Sequence, residues 1–186
     1  MTTDEQLVVE SLAGSTLAFT ELVERYQERL LRYLLTRATN RADAEDAVQD
    51  TFISAYRYLY SFNPQWRFST WLYRIAIRNA SRQARGEVAD VEDIADEDAP
   101  GPLDACIAAS ERENVWLTAK RLLNQDAYAA MWLRYVEDMS IKEVARALDK
   151  TQSWTKVTLL RGRRSLSAEL AEGASETARR ASYGRI

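Results

Sequence analysis

An all-α chain is predicted here: two small helical domains joined by an acidic flexible linker, the second a helix-turn-helix domain. Three observations predict it. Apolar residues recur at helical spacing along nearly the whole chain. Only six glycines and three prolines interrupt 186 residues, and no β-rich alternating run competes. Finally, residues 87–104 hold eight acids and no base around Pro100-Gly101-Pro102. Such a segment cannot bury enough apolar surface to order itself, so it reads as a linker.

The first stripe is Phe19, Leu22, Val23, Tyr26, Leu30, Tyr33 and Leu34, one face of a long helix. A second helix opens at Asp43-Ala-Glu-Asp, where acids meet the positive end of the helix dipole. Its buried face is Val48, Phe52, Ala55 and Leu59, and it stops before Asn63-Pro64. A third helix starts near Ser69. These make a first domain, residues 1–86, and the linker follows at 87–104.

The second domain is expected over residues 105–170. Helices run from about Ala105 to Leu123 and restart near Asp126, with Met131, Trp132, Tyr135 and Val136 inward. Ser140-Ile-Lys-Glu143 is a capping box, in which serine caps the helix and glutamate reaches back. Ile141, Val144, Ala145 and Leu148 form its short buried face. A tight turn follows at Asp149-Lys150, and Thr151 can cap the next helix. That helix has a narrow core stripe of Thr155, Leu159, Gly162 and Leu166. Residues 171–186 carry no stripe and are expected to fray as a flexible tail.

Composition narrows the functions available. No apolar run approaches the roughly eighteen residues of a membrane span, and the N-terminus lacks a basic region followed by an apolar core. No membrane insertion and a cytoplasmic location are the expectation. The single cysteine, Cys106, excludes an internal disulfide. Zero histidines remove the commonest zinc ligand and the commonest general base. No glycine-rich phosphate loop or nucleophile elbow is present. Catalytic residues, metal and cofactors are therefore expected to be none.

The chain is acidic, at −3, yet every charged residue in positions 61–86 is an arginine. Those arginines alternate with rings: Phe62, Trp66, Arg67, Phe68, Trp71, Tyr73, Arg74, Arg78, Arg82 and Arg85. Arginine neutralises phosphate, and flat rings stack on bases that have left a duplex. Arg74, Arg78, Arg82 and Arg85 share one sector of a helical wheel with Trp71. A plain solvated face would more often mix signs. Trp71 reads equally as core, whereas Phe62, Trp66 and Phe68 precede the helix, where core packing explains them less readily.

The helix after Thr151 is the second nucleic-acid candidate. Its outer side shows Trp154, Val157, Thr158 and Arg161, flanked by Lys156, Arg163 and Arg164. A short helix, a tight turn and a second helix with basic flanks match the helix-turn-helix, whose second helix enters the major groove. Polar and small side chains there touch base edges and basic ones fix phosphates. From the residues alone two further functions stay open. One is an operator-binding helix-turn-helix regulator acting without polymerase; the other is a helical protein-interaction module with no DNA contact.

Two strings carry a family resemblance. DAEDAVQDTF begins at Asp43 and FSTWLYRIA at Phe68, and the helix-turn-helix over residues 140–164 follows in order. Over roughly residues 18–85 and 112–170 the chain resembles the extracytoplasmic-function sigma factors of bacterial RNA polymerase. The resemblance implies that Asp46, Gln49, Asp50 and Ile53 dock on the clamp helices of the largest subunit of core RNA polymerase, with the flap as a further contact. It implies that Asn63, Trp66, Arg67, Phe68, Ser69, Thr70, Trp71, Arg74, Arg78 and Arg82 melt and hold the single-stranded −10 promoter element. Ser153, Trp154, Lys156, Val157, Thr158, Arg161 and Arg164 would read the −35 element as duplex. An anti-sigma factor is the regulatory partner implied. The chain departs from the pattern at Arg78, where the family usually has Asn, and at Arg82, where it has Asp. The turn's common glycine is Asp149, a residue type that tolerates left-handed backbone better than most.

Overall fold

The computed structural model describes residues 2–86 and 111–183, with side chains over 2–80 and 115–172. Among the described residues there are eight α-helices, one short 3-10 turn and no strand. The chain divides into two compact units, Met1–Ala105 and Cys106–Ile186. The acidic segment 87–104 and the helix start near Ala105 lie outside the described residues.

The first unit opens with a helix the stripe analysis does not reach. α1 (Asp4–Leu12) is set by a capping box: Thr3 Oγ1 accepts from Gln6 N at 3.2 Å, and Thr3 N donates to Gln6 Oε1 at 2.9 Å. Its nine residues bury only Leu7, Val8 and Ser11, a stripe too narrow to stand out. The chain reverses at Gly14, whose φ of 101° suits a residue without a Cβ.

Ser15 caps α2 (Thr16–Leu35), which buries Ala18, Leu22, Tyr26, Leu30, Tyr33 and Leu34. Phe19 and Val23 from the expected stripe are half-buried at its edge. α3 (Arg41–Arg57) starts two residues before the expected Asp43 because the side chain of Asn40 accepts from Asp43 N at 2.9 Å. Its inner face is Ala44, Ala47, Thr51, Phe52 and Ala55, so the stripe is rotated and Val48 is half-buried. Thr51 is tolerated there because its hydroxyl donates to Ala47 O at 2.7 Å. A 3-10 turn, Leu59–Ser61, leads to the loop before α4 (Phe68–Gly86). Helices α2, α3 and α4 close on a ring-rich core that includes an edge-on Tyr33–Tyr73 pair at 5.5 Å.

In the second unit α5 (Glu111–Leu122), α6 (Gln125–Tyr135) and α7 (Ile141–Leu148) all pack on α8 (Gln152–Tyr183), and α6 also packs on α7. With α7 and α8 against it and Trp116 of α5 on its rings, α6 carries an unbroken buried run from Tyr128 through Leu133. Trp116, Tyr128 and Trp132 form its ring cluster, with Trp116 and Trp132 edge-on at 5.0 Å. Tyr135, expected inward, is instead 49% exposed. The backbone reverses at Asp138, φ 52°, and fully buried Met139 takes the inward place. Arg134 Nη1 holds the reversal by donating to Met139 O at 2.7 Å.

The capping box of α7 forms as expected, with Ser140 N donating to Glu143 Oε2 at 2.8 Å and Glu143 N to Ser140 Oγ at 3.3 Å. Asp149 ends α7 in the left-handed conformation, φ 59° and ψ 40°. Thr151 Oγ1 then accepts from Trp154 N at 3.1 Å and opens α8. Thr155, Leu159, Gly162 and Leu166 are all buried. At Gly162 a Cβ would stand 3.2 Å from Met131 Sδ, so α6 and α8 meet closely there. α8 continues to Tyr183, past the end of the apolar stripe. Alanine, glutamate and arginine dominate residues 171–183, and strong helix formers extend an existing helix without needing an apolar stripe.

Candidate nucleic-acid interface

In the first unit the loop 62–67 is a hydrogen-bonded turn over buried rings. Asn63 Oδ1 accepts from Gln65 N at 2.9 Å, and Asn63 O accepts from Trp66 N at 2.9 Å. These local bonds turn the chain so that Asn63, Gln65 and Arg67 are exposed while Phe62 points inward. Phe62, Phe68 and Trp71 form a triangle of rings with centroids 5.6 to 6.1 Å apart.

Four residues assigned to strand contact from the sequence are therefore interior. Phe68 is 0%, Thr70 1%, Ser69 4% and Trp71 6% exposed. Expected at a DNA-facing surface, these four side chains lie in this structure beneath the exposed loop residues Asn63, Gln65 and Arg67. Core packing explains Phe62 and Phe68 directly, against the expectation from their place before the helix. The helix starts at Phe68, whose ring packs on Tyr26 of α2 at 5.4 Å.

Trp66 is half-buried, with the Arg74 guanidinium 5.8 Å from its ring centroid. A cation over an indole stiffens both groups and leaves part of the ring accessible. Arg78 is exposed one turn further along α4, and Arg82 follows on the described helix, its side chain outside the described residues. Arg67 is exposed.

On α3 the residues Asp46, Gln49, Asp50 and Ile53 are all exposed along one face, at steps of three and four. Ile53, 55% exposed, borders a surface groove of about 560 Å³ with Phe19, Phe52, Tyr56 and Arg57. Phe19 and Tyr56 pack edge-on at 4.9 Å across it. Neither was assigned to a site from the sequence, although Tyr56 lies three residues beyond Ile53 on the same face. Asn79 of α4 donates to Ser54 Oγ at 3.2 Å and Asp50 O at 3.4 Å. The acidic face of α3 and the arginine helix are thereby held in fixed relation.

In the second unit α8 exposes Ser153, Lys156, Val157, Arg161, Arg163 and Arg164, with Thr158 half-buried. Leu160 is exposed on the same stretch and was not singled out from the sequence. Trp154 is half-buried against its own turn, beneath Lys150. The row thus combines base-reading residue types with flanking cations on one capped helix. No described helix is long and apolar enough to cross a membrane.

A family model described as Sigma-70 region 2 matches residues 22–95. The extracytoplasmic-function RNA polymerase sigma-E factor of Haemophilus influenzae is 34% identical over 175 residues, spanning 87% of this chain and 92% of that protein. CnrH, solved in complex with the cytosolic domain of CnrY, superposes with a TM-score of 0.66 at 25% identity, covering 91% of this chain and 97% of that one. RpoE of Bartonella quintana, solved with the anti-sigma factor NepR, shares the fold with a TM-score of 0.62 at 19% identity, covering 82% and 96%.

Proposed function

The chain belongs to the extracytoplasmic-function RNA polymerase sigma factors, and on that premise we propose a division of labour between its two units. As a sigma factor it serves promoter recognition and transcription initiation with RNA polymerase. The first unit, within residues 1–86, takes the −10 element as a separated strand. The second, within residues 105–170, takes the −35 element as intact duplex.

In the first unit Arg67, Arg74, Arg78 and Arg82 lie along phosphates, Asn63 meets an unpaired base and Trp66 offers a ring face. Phe68, Ser69, Thr70 and Trp71 act from beneath by fixing the loop. On α8, Ser153, Trp154, Val157, Thr158 and Arg161 face base edges, while Lys156 and Arg164 take phosphates. Asp46, Gln49, Asp50 and Ile53 dock on the clamp helices of the polymerase's largest subunit, and the second unit contacts the flap. The factor works in the cytoplasm and performs no covalent chemistry of its own.

Opening duplex gives up about 1.4 kcal/mol per base-pair step. A base stacked on an aromatic returns about 1–3 kcal/mol. One base on Trp66 therefore offsets about one or two opened steps, and the arginine–phosphate and polymerase contacts supply the rest without nucleotide hydrolysis. An anti-sigma protein is the proposed regulatory partner, in keeping with the relative CnrH being held by the cytosolic domain of CnrY. The exposed α3 face and its groove are the surface for which it would compete with polymerase.

The observation that carries this reading is segregation of charge within one unit. α3 presents Asp46, Gln49, Asp50 and Ile53, while the loop and α4 present arginines beside an accessible tryptophan. The test is transcription with purified core polymerase on promoter templates, fully paired or forked to expose the −10 strand. Preference for the fork, weakened by Arg67→Ala and Arg78→Ala, supports the proposal. Absence of any promoter-dependent transcript sinks it.

A further inference from the structure

α1 packs along α2 and also meets the 3-10 turn Leu59–Ser61, which feeds the loop 62–67. Its first residue, Asp4, reaches α2. Asp4 Oδ1 accepts from Arg25 Nη1 at 2.7 Å, and Asp4 Oδ2 accepts from the Tyr26 hydroxyl. Arg25 is fixed further by Glu21 and by donation from Nη2 to Thr2 O at 2.8 Å.

Tyr26 carries the contact onward. Its ring packs on Phe68, the residue that ends the loop, at a centroid distance of 5.4 Å. The Arg29 guanidinium stands 5.4 Å from the same ring. Phe68 in turn touches Phe62 and Trp71, so loop entry and exit meet in one ring cluster. The Tyr26 phenol is held protonated by burial and by Asp4, against the fields of Arg29 and Arg67. Arg67, the exposed cation of the loop, directly precedes Phe68, whose ring Tyr26 holds.

We infer that Asp4 is a positioning residue for strand capture: through Tyr26 it sets Phe68 and Arg67, and α1 is a bracket across the strand-facing loop. The inference rests on the reading of that loop as the −10 surface. The bracket restricts the loop to one arrangement before DNA arrives, so less freedom is lost on binding. A purely stabilising ion pair predicts a different pattern, because it would affect every activity of the unit together.

The experiment uses the full chain with core polymerase and the variants Asp4→Asn, Asp4→Ala and Tyr26→Phe. Four quantities are measured: thermal midpoint, affinity for core polymerase, affinity of the holoenzyme for a forked template, and affinity for upstream duplex. Expected is a loss on the fork of about threefold to tenfold, the size of one mis-set hydrogen bond, with polymerase and upstream affinities unchanged. Tyr26→Phe, which keeps the ring and removes only the hydroxyl, should fall with Asp4→Asn. Wild-type binding to the fork by these variants overturns the inference, and so does equal loss of fork and polymerase affinity. Arg67→Ala and Arg78→Ala are run alongside. If they weaken fork binding and the Asp4 variants do not, the bracket alone fails. If they do not, the strand-capture reading fails and the bracket with it.

Discussion

The ammonium of Lys150 lies 5.3 Å from the ring centroid of Trp154, and the same nitrogen reaches Asp126 Oδ2 at 2.8 Å. One side chain therefore ties the start of α8 to the start of α6 and draws Trp154 back over its own turn. Lysine to alanine frees that ring and the entry angle of the helix. At a partly exposed site such a contact is worth about 0.5–1 kcal/mol. Lys150→Ala should weaken upstream duplex binding by about two- to fivefold, the same energy as a ratio. Lys150→Arg should keep most of it, and equal weakening by both in a titration at fixed salt would contradict this.

Arg161 stands exposed in the middle of the outer row of α8. If it reads a base, Arg161→Ala costs about 1–3 kcal/mol on the preferred −35 sequence and relaxes discrimination at one position. Lys156→Ala should instead weaken all sequences alike and flatten the salt dependence. Competition binding with single-position −35 variants separates the two; uniform loss for Arg161→Ala would demote it to a phosphate contact.

Gly162 faces Met131, whose Sδ would stand 3.2 Å from an added Cβ. Alanine gains about 1 kcal/mol of helix propensity over glycine. A methionine side chain is flexible enough to yield a few tenths of an ångström. The terms nearly cancel, so Gly162→Ala should change stability by less than about 1 kcal/mol, whereas Gly162→Leu overpacks and costs about 1–3 kcal/mol. Urea unfolding of the full chain checks this, and a large loss for alanine would mean that Met131 cannot move.

Tyr26 gives a pH signature. Burial and then the Asp4 hydrogen bond push its phenol above the ordinary value near 10. The folded state holds this proton more tightly than the unfolded chain does. The stabilisation is therefore complete below about pH 10 and is lost as pH rises beyond it. Tyr26→Phe lacks the titrating group, so other ionisations cancel in the comparison. The difference in Tm between wild type and Tyr26→Phe should narrow above about pH 10, and a constant gap would refute the assignment.

Local signals were readable in the helix-turn-helix segment, where the bonds that fix a conformation lie within a few residues. The Ser140/Glu143 capping box, the Thr151 cap, the left-handed Asp149 and the stripe Thr155, Leu159, Gly162 and Leu166 all follow from the sequence into the structure. The family strings at Asp43 and Phe68 were equally legible. Less legible was α1, whose three buried residues leave no periodic trace, and the groove beside Ile53, whose wall comes partly from α2.

By itself, then, the sequence determined helical class, the boundaries capped by Ser140 and Thr151, the acidic run and the separation of cations from carboxylates. Those properties depend on backbone hydrogen bonds, composition and period. Only tertiary structure decided that Phe62, Phe68 and Trp71 turn inward while Trp66 remains partly open under Arg74, and that Tyr135 gives its inward place to Met139. A ring's choice between core and solvent is made by surfaces distant in sequence, here α2 and α1. The same chemistry favours both outcomes until those neighbours are in place.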